Sequence, residues 1–407
     1  MKANCSPEQI AKIDELKARL AHRQSDGQLD FLTKEYFLLR WLKARDFNVD
    51  KAEAMLRHHL AFRKALKMDS PEYQIWTMPA AHREFFSWLF IWMHEVRHAN
   101  GKGLFHAYRN SDGLRSVLHQ YAYVYEQLLD ECSREKGHRI TQCLFVLDFD
   151  GAEKEPNPLW MPPIETMIQM VKLLDEHAPE MIHKALIINT HAIFPILYKF
   201  IRPTLSRVTT AKIEVYGRQS WQERLAEFVA ADQLPVHYGG SAVDSSGDPK
   251  CSENICQAGP VPTSRYLKSQ LEGEWCDWLP SGVQLRQLRI SRGRKIELEY
   301  RLEKGWTLFW IFQASTWHDI GFAVYEELGG DEEGGARELA FPYLRLVTRA
   351  VPEWNHVVAE KAATYVVLFD NSYSWFRTKS IEYFITAREP DCPLLAQLPG
   401  IKKSNIV

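Results

Sequence analysis

The sequence predicts an α/β domain with a parallel sheet, preceded by a helical lobe and followed by an all-β antiparallel sandwich. From His183 to Tyr216, a strand, a crossover helix and a second strand follow one another within about thirty residues, a βαβ pattern that requires a parallel sheet. The near-continuous apolar run 142–149 is typical of a strand buried on both faces. Beyond about Leu285, short alternating runs separated by Gly, Asp and Asn indicate an antiparallel sandwich.

Composition sets the broad class of protein. The chain has 407 residues, 45% of them hydrophobic, and a net charge of −2, so we expect two or three well-packed domains and no general attraction to nucleic acid. Its seven scattered cysteines favour reduced thiols and a cytoplasmic protein. The N-terminus lacks the apolar segment of a secretory signal, and the longest apolar run, Phe85 to Met93, is shorter than the ~20 residues that span a membrane. We therefore expect a soluble protein.

Helices are predicted for the N-terminal lobe. Ser6 and Gln9 form the pattern of a capping box, which predicts a helix over 7–22. Apolar residues at helical spacing predict two further helices, at 33–45 and 50–67.

Strands and helices then alternate along the chain. The expected elements are a strand at 104–108, a helix at 114–133, a strand at 142–149, a helix at 164–177, a strand at 184–189, a helix at 192–202, a strand at 212–216 and a helix at 221–229. After a polar connector, the expected strands of the sandwich lie at 294–300, 306–313, 320–325, 364–369 and 380–387. The acidic, glycine-rich stretch 326–335 is expected to be a solvated loop.

The helix expected at 192–202 has an unusually wide apolar face. Its apolar residues follow the i, i+3, i+4, i+7, i+8 pattern, and two aromatic residues widen the face further. The apolar positions are Ile193, Phe194, Ile196, Leu197, Tyr198, Phe200 and Ile201. Two interpretations remain open: an ordinary crossover helix covered by its neighbours, or a movable wall with an apolar ligand on one side and lipid or solvent on the other.

One string of residues resembles a catalytic metal motif. His94, Glu95 and His98 form a literal HExxH, which on a helix can bind zinc and activate a water molecule. The position for a third ligand falls on Leu104 rather than on His106. We therefore expect a structural role and keep a zinc hydrolase as a minor alternative. The phosphate-binding loop, dinucleotide and nucleophile-elbow motifs are missing from the sequence, so we expect a protein that is not an enzyme.

A set of motifs resembles a known family. The motifs are 37–47, the strand ending at Asp148, 178–180, 187–189, 194–203 and 234–240. Together they resemble a CRAL-TRIO lipid-transfer domain with its helical N-terminal lobe. Residues 288–387, with 319–322 and 368–373, resemble a GOLD domain. The combination is similar to the supernatant protein factor, or tocopherol-associated protein, branch of the family.

The resemblance implies a division of the chain and a function. The division is a helical lobe at 1–75, a CRAL-TRIO domain at 76–245, a connector at 246–285, a GOLD-like sandwich at 286–390 and a tail at 391–407. The implied function is that of a cytoplasmic, non-enzymatic carrier that meets membranes transiently and binds phosphatidylinositol and a second hydrophobic ligand, such as tocopherol or squalene. No cofactor other than this lipid is expected. In the alternative, the GOLD-like domain recruits a membrane or protein partner and the lipid is a regulatory ligand.

The resemblance also implies binding residues. It places the contacts to the inositol headgroup on Arg45, Glu180, Thr209 and Lys212, whose charges and hydroxyl suit phosphate and ring hydroxyls. The apolar pocket and its gate are expected at Phe145, Leu147, Phe194, Leu197, Phe200 and Ile201. Where some members place hydroxyl residues for choline, this chain has Cys143 and Phe145, which puts phosphatidylcholine transfer in doubt.

Overall fold

The computed structural model describes most of the chain. The described residues are 5–20, 30–69, 91–95, 101–151, 161–192, 194–252, 261–267, 275–328 and 336–399. His98, Ile193, most of the expected acidic loop and the end of the tail lie outside them, as do the side chains of Leu197 and Phe200.

Among the described residues of the N-terminal lobe, three α-helices are formed, as predicted. They are α1 (Pro7–Leu20), α2 (Glu35–Lys43) and α3 (Val49–Ala65). The capping box is formed, because Ser6 N donates to Gln9 Oε1 at 3.1 Å and Gln9 N donates to Ser6 Oγ at 3.2 Å. Trp41 and Leu56 are fully buried between the helices.

A parallel sheet forms the centre of the next domain. Its strands β1 (Ile91–Glu95), β2 (Cys143–Asp148), β3 (Ile182–Ile188) and β4 (Ile213–Val215) lie side by side in chain order. The helices around the sheet are α4 (Gly101–Ala107), α5 (Asn110–Tyr123), α6 (Leu129–Lys136), α7 (Met161–His177), α8 (Phe194–Ile201), α9 (Arg207–Ala211) and α10 (Trp221–Ala226). One π-helical turn, Val124–Leu128, joins α5 to α6. None of the described helices combines the length and the apolar character needed to cross a membrane.

Successive side chains of a strand point to opposite faces of the sheet. Val146, Leu186 and Ile188 face α10 and the segment that follows it, where they form one buried cluster. The opposite face faces α7 and α8 and contains Phe145, Leu147, Phe149, Ala185 and Ile187. We call this second face the ligand face, because Phe145 and Leu147, two of the residues predicted to line the apolar pocket, lie on it.

One predicted strand is wrong. Residues 104–108 belong largely to helix α4, and the neighbouring strand is β1, at 91–95. A short apolar run does not distinguish a strand from a buried helical segment. Contacts with residues distant in the sequence favour the helix. Leu104 packs with Val261, and the Phe105 ring lies 6.4 Å from the Trp317 ring.

The C-terminal part is an antiparallel sandwich, as predicted. Its strands are β5 (Arg286–Ile290), β6 (Lys295–Leu302), β7 (Thr307–Ala314), β8 (Ile320–Glu327), β9 (Arg337–Leu346), β10 (Glu353–Val358), β11 (Ala363–Asp370) and β12 (Lys379–Arg388). One sheet has the order β10-β7-β12-β5 and the other β6-β11-β8-β9. The strands β5, β9 and β10 are additional to the prediction. Each has charged residues or proline among its apolar positions, which weakens the period-two pattern.

The sandwich packs directly on the α/β domain. Ser111 Oγ, in the first turn of α5, donates to Glu353 Oε1 at 2.7 Å, and both residues are buried. Asn110 Oδ1 accepts from Val347 N at 3.1 Å. The Arg109 guanidinium lies 4.7 Å from the centre of the Trp354 ring. The α/β domain and the sandwich therefore share a polar, partly buried interface.

Two buried histidines lie between α3 and α7. His59 Nδ1 is 3.2 Å from His177 Nδ1. Burial, assisted by the nearby charges of His58 and Arg63, lowers the pKa of His177 to about 3. Burial likewise lowers the pKa of His59 well below its ordinary value. Both side chains are therefore neutral near pH 7.

We expect the free energy of unfolding to fall as the pH drops from 7 to 5.5. Below pH 6.5 the unfolded chain protonates both histidines while the folded chain does not, so acid favours the unfolded state. Each histidine should contribute about 1 kcal/mol to the loss over this interval. Urea unfolding at both pH values should show that His177→Phe loses less stability than the wild type. An equal loss in the two proteins would contradict this account.

Candidate functional site

The four predicted headgroup residues lie around one cavity of about 250 Å³. We call this cavity the headgroup pocket. Three segments form its walls: the end of α2, the last turn of α7 with the turn into β3, and α9 with the residue that follows it. The lining residues are Ala44, Arg45, Lys172, Leu174, Asp175, Glu176, Ala178, Pro179, Glu180, Met181, Ile182, Ser206, Val208, Thr209 and Lys212.

Glu180 and Lys212 form an ion pair in the wall of the pocket. Lys212 Nζ lies 3.1 Å from Glu180 Oε2, which also accepts from Gln142 Nε2 at 3.3 Å. Glu180 has a φ of +60°, a left-handed conformation that is uncommon for residues other than glycine. This conformation turns the chain sharply from α7 into β3, and it costs free energy that the surrounding contacts must offset.

Thr209 is held by a hydrogen-bonded cluster at the start of α9. Its hydroxyl donates to Asp175 Oδ1 at 2.6 Å, and its backbone N donates to Ser206 Oγ at 3.0 Å. Asp175 Oδ2 accepts from Ser206 N at 2.9 Å. Asp175 therefore joins α7 to α9 across the pocket, although the sequence did not identify it as a site residue.

Arg45 enters the pocket from a tight turn after α2. Asp46 and Phe47 both adopt positive φ, at 51° and 58°, so the chain reverses direction directly after the arginine. Arg45 Nη1 donates only to the adjacent Ala44 O, at 2.8 Å, among the contacts seen within the described residues. The guanidinium therefore keeps donors that a ligand can use.

The charges around the headgroup pocket are balanced. Three basic residues line it, and so do three acidic residues. Burial raises the pKa of Glu176, while the charges of His58, Lys172 and Arg45 act in the opposite direction. The basic residues are Arg45, Lys172 and Lys212; the acidic residues are Asp175, Glu176 and Glu180. Such a pocket offers donors to a phosphate and acceptors to hydroxyl groups.

Helix α8 covers one end of the ligand face. Phe194 is buried, with its ring 5.2 Å from the Phe149 ring and 5.7 Å from the Tyr198 ring. Ile168 of α7 packs on the same cluster. The outward side of α8 contains Ile196, whose side chain is 45% exposed. Apolar side chains therefore lie on both the buried and the solvent side of this helix.

The remaining predicted pocket residues lie at different depths. Leu147 is partly buried in the cluster with Phe194, and Ile201 at the end of α8 is also partly buried. Phe145 lies on the same face of β2 but packs in the cluster with Leu174 and the helical lobe. Cys143 is buried beside it, and burial raises the pKa of its thiol to about 12, so the thiol is neutral.

Two residues of the HExxH string lie in a strand, and the third, His98, lies outside the described residues. His94 and Glu95 belong to β1, whose backbone is extended. A helix brings positions i and i+4 close together, whereas an extended strand separates them by roughly 13 Å. We expect His94→Ala to leave both the zinc content and the lipid binding of the purified chain unchanged. Elemental analysis and lipid extraction would measure these quantities, and a stoichiometric loss of zinc in the variant would contradict the expectation.

Comparison with known proteins identifies two domains in this chain. Residues 90–240 match the CRAL/TRIO domain, and residues 12–58 match the CRAL/TRIO N-terminal domain. Protein ctg-1 of Caenorhabditis elegans is 26% identical over 374 residues, covering 88% of this chain and 92% of that protein. The CRAL-TRIO domain-containing protein T23G5.2 of the same organism is 24% identical over 350 residues; the match covers 82% of this chain but only 46% of that protein.

The chain also has a distant similarity to solved structures. The crystal structure of Sfh5 superposes with a TM-score of 0.45 and 14% identity, covering 65% of this chain and 97% of that one. The matches to the two domains end at residue 240, so the GOLD-like character of the sandwich stays a prediction.

Proposed function

This chain belongs to the CRAL-TRIO family of lipid-binding proteins, and we propose that it carries phosphatidylinositol together with a second, apolar ligand. The observation that supports this proposal most directly is the headgroup pocket. Arg45, Glu180, Thr209 and Lys212 come from three separate segments of the chain and line the same cavity.

The mixed charge of the pocket favours an inositol phosphate over a simple anion. A phosphate alone needs donors, which Arg45 and Lys212 supply. The inositol ring adds hydroxyl groups, each of which needs an acceptor when it is taken out of water. The carboxylates of Asp175 and Glu180 can accept from such hydroxyls. Acidic side chains in the wall would repel a bare phosphate, but they suit a ligand that presents both groups.

The ligand face supports the apolar half of the proposal. Its side chains between the sheet and α8 are aliphatic or aromatic, so acyl chains or an isoprenoid could lie there without burying an unpaired polar group. Burial contributes roughly 0.8 kcal/mol per methylene group. Cys143 and Phe145 offer no hydroxyl for choline, which is why we propose that phosphatidylcholine is not the preferred phospholipid.

Such a carrier needs a gate, and we propose that α8 is this gate. A lipid bound by many methylene groups leaves very slowly unless the covering element moves. Lys199 and Arg202 at the end of α8 are exposed and would lie near anionic headgroups when the gate opens at a bilayer. The exposed Ile196 would enter the acyl region. Transfer would therefore be slow in water and fast on vesicles.

A vesicle transfer assay tests this function. Donor vesicles contain fluorescent phosphatidylinositol or fluorescent phosphatidylcholine, and the purified chain moves the label to acceptor vesicles. We expect faster transfer of phosphatidylinositol. Failure to extract either lipid would contradict the carrier function. Equal transfer of both lipids would contradict the proposed preference for the inositol headgroup.

A further inference from the structure

The sandwich presents two large aromatic side chains to the exterior at the tip of one loop. Trp375 is 81% exposed and Phe376 is 88% exposed. We call this pair the aromatic tip; it lies between β11 and β12. Every other large hydrophobic side chain that is exposed within the described residues is a valine or an isoleucine. Exposing two adjacent aromatic rings loses the free energy of burying them, so their placement requires an explanation.

The loop that holds the aromatic tip is well anchored. Asn371 is fully buried, and its Nδ2 donates to Ile290 O at 3.1 Å and to Arg377 O at 2.8 Å. Ser374 Oγ donates to Arg377 O at 3.1 Å, closing a tight turn around the tip. On the inner side, the Tyr373 hydroxyl donates to Asp319 Oδ1 at 3.0 Å. The loop is therefore fixed at both ends while the tip points outward.

The charges exposed around the tip are positive. Gly293 N donates to the carbonyl oxygens of Asn371 and Ser374, both at 3.1 Å, which places the β5–β6 turn beside the tip. Arg292 and Arg294 of this turn are exposed, and so is Arg377 in the loop itself.

The acidic side chains of Asp319 and Asp370, which contact the loop, are buried and hydrogen-bonded or ion-paired. Asp370 Oδ2 accepts from the Tyr343 hydroxyl at 2.8 Å, and Asp319 Oδ2 lies 2.5 Å from Arg345 Nη2. Exposed aromatic rings surrounded by arginine match the boundary between the acyl chains and the headgroups of an anionic bilayer.

The aromatic tip lies at the same end of α7 as helix α8. Arg377 Nη1 is 3.2 Å from His318 Nδ1, and this ring nitrogen is 3.9 Å from Glu165 Oε1 in α7. Ile168, which packs with Phe194 of α8, is three residues further along and therefore a neighbour of Glu165 on the helix surface. Helix α7 thus packs on the proposed gate and is linked to the loop of the tip through His318.

We propose that the aromatic tip is a membrane anchor that inserts into an anionic bilayer and holds the gate helix against it. Trp375 and Phe376 enter the headgroup boundary, while Arg292, Arg294 and Arg377 contact the lipid phosphates. The role of holding the gate rests on the proposed carrier function, whereas the insertion itself does not.

Vesicle co-sedimentation of the full chain tests the anchor. Wild type and Trp375→Ser/Phe376→Ser are mixed with phosphatidylcholine vesicles that contain or lack phosphatidylserine. We expect the affinity of the variant for the anionic vesicles to be lower by about tenfold for each aromatic ring removed. Arg292→Ser/Arg294→Ser should instead reduce the preference for phosphatidylserine. Exchanging the two rings, in Trp375→Phe/Phe376→Trp, should preserve binding because insertion depends on aromatic area.

The chain offers a matched control. Val358 is 53% exposed and pairs with Thr307. Thr307 is the first residue of β7, and Ala314 is the last. The loop containing the tip leads into the start of β12, which pairs with Ala314, so Val358 lies at the far end of the same sandwich. Val358→Ser should bind vesicles as tightly as the wild type, and all three serine variants should keep the wild-type thermal unfolding midpoint.

The outcomes separate the anchor from the carrier function. Unchanged vesicle binding by the tip variant, or failure of the wild type to bind anionic vesicles, overturns the anchor. The latter result would indicate that the tip docks on a protein. If binding depends on the tip but native mass spectrometry finds no lipid in the wild-type chain, the anchor stands and the carrier function fails. If the tip variant still contains one lipid per chain but transfers it slowly, both are supported.

Discussion

Phosphatidylinositol binding should be lost in a variant that combines Lys212→Ala with Glu180→Val. Lys212 Nζ and Glu180 Oε2, 3.1 Å apart, are proposed to bind the phosphate and a ring hydroxyl. Each missing partner for a desolvated polar group costs on the order of 1 to 3 kcal/mol, or roughly 5- to 150-fold in affinity. Removing both residues together avoids leaving one unpaired charge in the wall. Titration with phosphatidylinositol and with an apolar ligand such as squalene would measure the effect.

A second ion pair, between strands β3 and β4, provides the control for this variant. Lys184 of β3 lies 2.7 Å from Glu214 of β4, and the lysine side chain is 27% exposed, compared with 20% for Lys212. Lys184→Ala should therefore leave phosphatidylinositol affinity unchanged. Uptake of the apolar ligand should survive in both variants. If the variant with Lys212→Ala and Glu180→Val loses both ligands equally, these two residues maintain the fold and do not recognise the headgroup.

Lipid exchange should stop when α8 is tied to α7. Tyr198 of α8 and Ile168 of α7 pack against the same buried cluster, and we choose these two positions for cysteines that tie the helices together. Opening α8 in water would expose apolar side chains that each gain ~1.5 to 3 kcal/mol on burial, whereas at a bilayer the same side chains would enter the acyl region. The oxidised variant should retain its lipid on vesicles, and reduction should restore transfer to the wild-type rate.

The cross-linking experiment needs two controls. Cys276 is the exposed cysteine among the described residues and is best replaced by serine throughout, so that it cannot form other disulfides. Tyr198→Cys alone, treated with the same oxidant, should transfer lipid at the untreated rate. If the tethered protein also transfers at that rate, α8 is an ordinary crossover helix and the lipid enters elsewhere.

The fold class follows from local patterns, whereas some element identities do not. The βαβ unit, the capping box of Ser6 and Gln9 and the sandwich are formed as the sequence predicts, because periodicity and capping act over a few residues. The strand predicted at 104–108 is a helix because Leu104 and Phe105 contact residues more than 150 positions away. A pattern over five residues contains no information about such contacts.

The candidate site shows a similar division. The resemblance, and not periodicity, suggested Arg45, Glu180, Thr209 and Lys212, and these residues line one cavity. Asp175 was missed because its role depends on the packing of α7 against Ser206 and Thr209. The left-handed conformation of Glu180 was equally inaccessible, since glutamate rarely adopts it and a tertiary contact must hold it there. The aromatic tip was present in the sequence as Trp375 and Phe376, but only the structure shows that they are exposed.

Native mass spectrometry of the freshly purified chain tests the central claim most directly. The claim is that the headgroup pocket holds the inositol phosphate of one lipid molecule. It predicts one phosphatidylinositol per wild-type chain, and no phosphatidylinositol in the variant with Lys212→Ala and Glu180→Val. A wild-type chain without lipid, or one whose phosphatidylinositol persists in that variant, would contradict it.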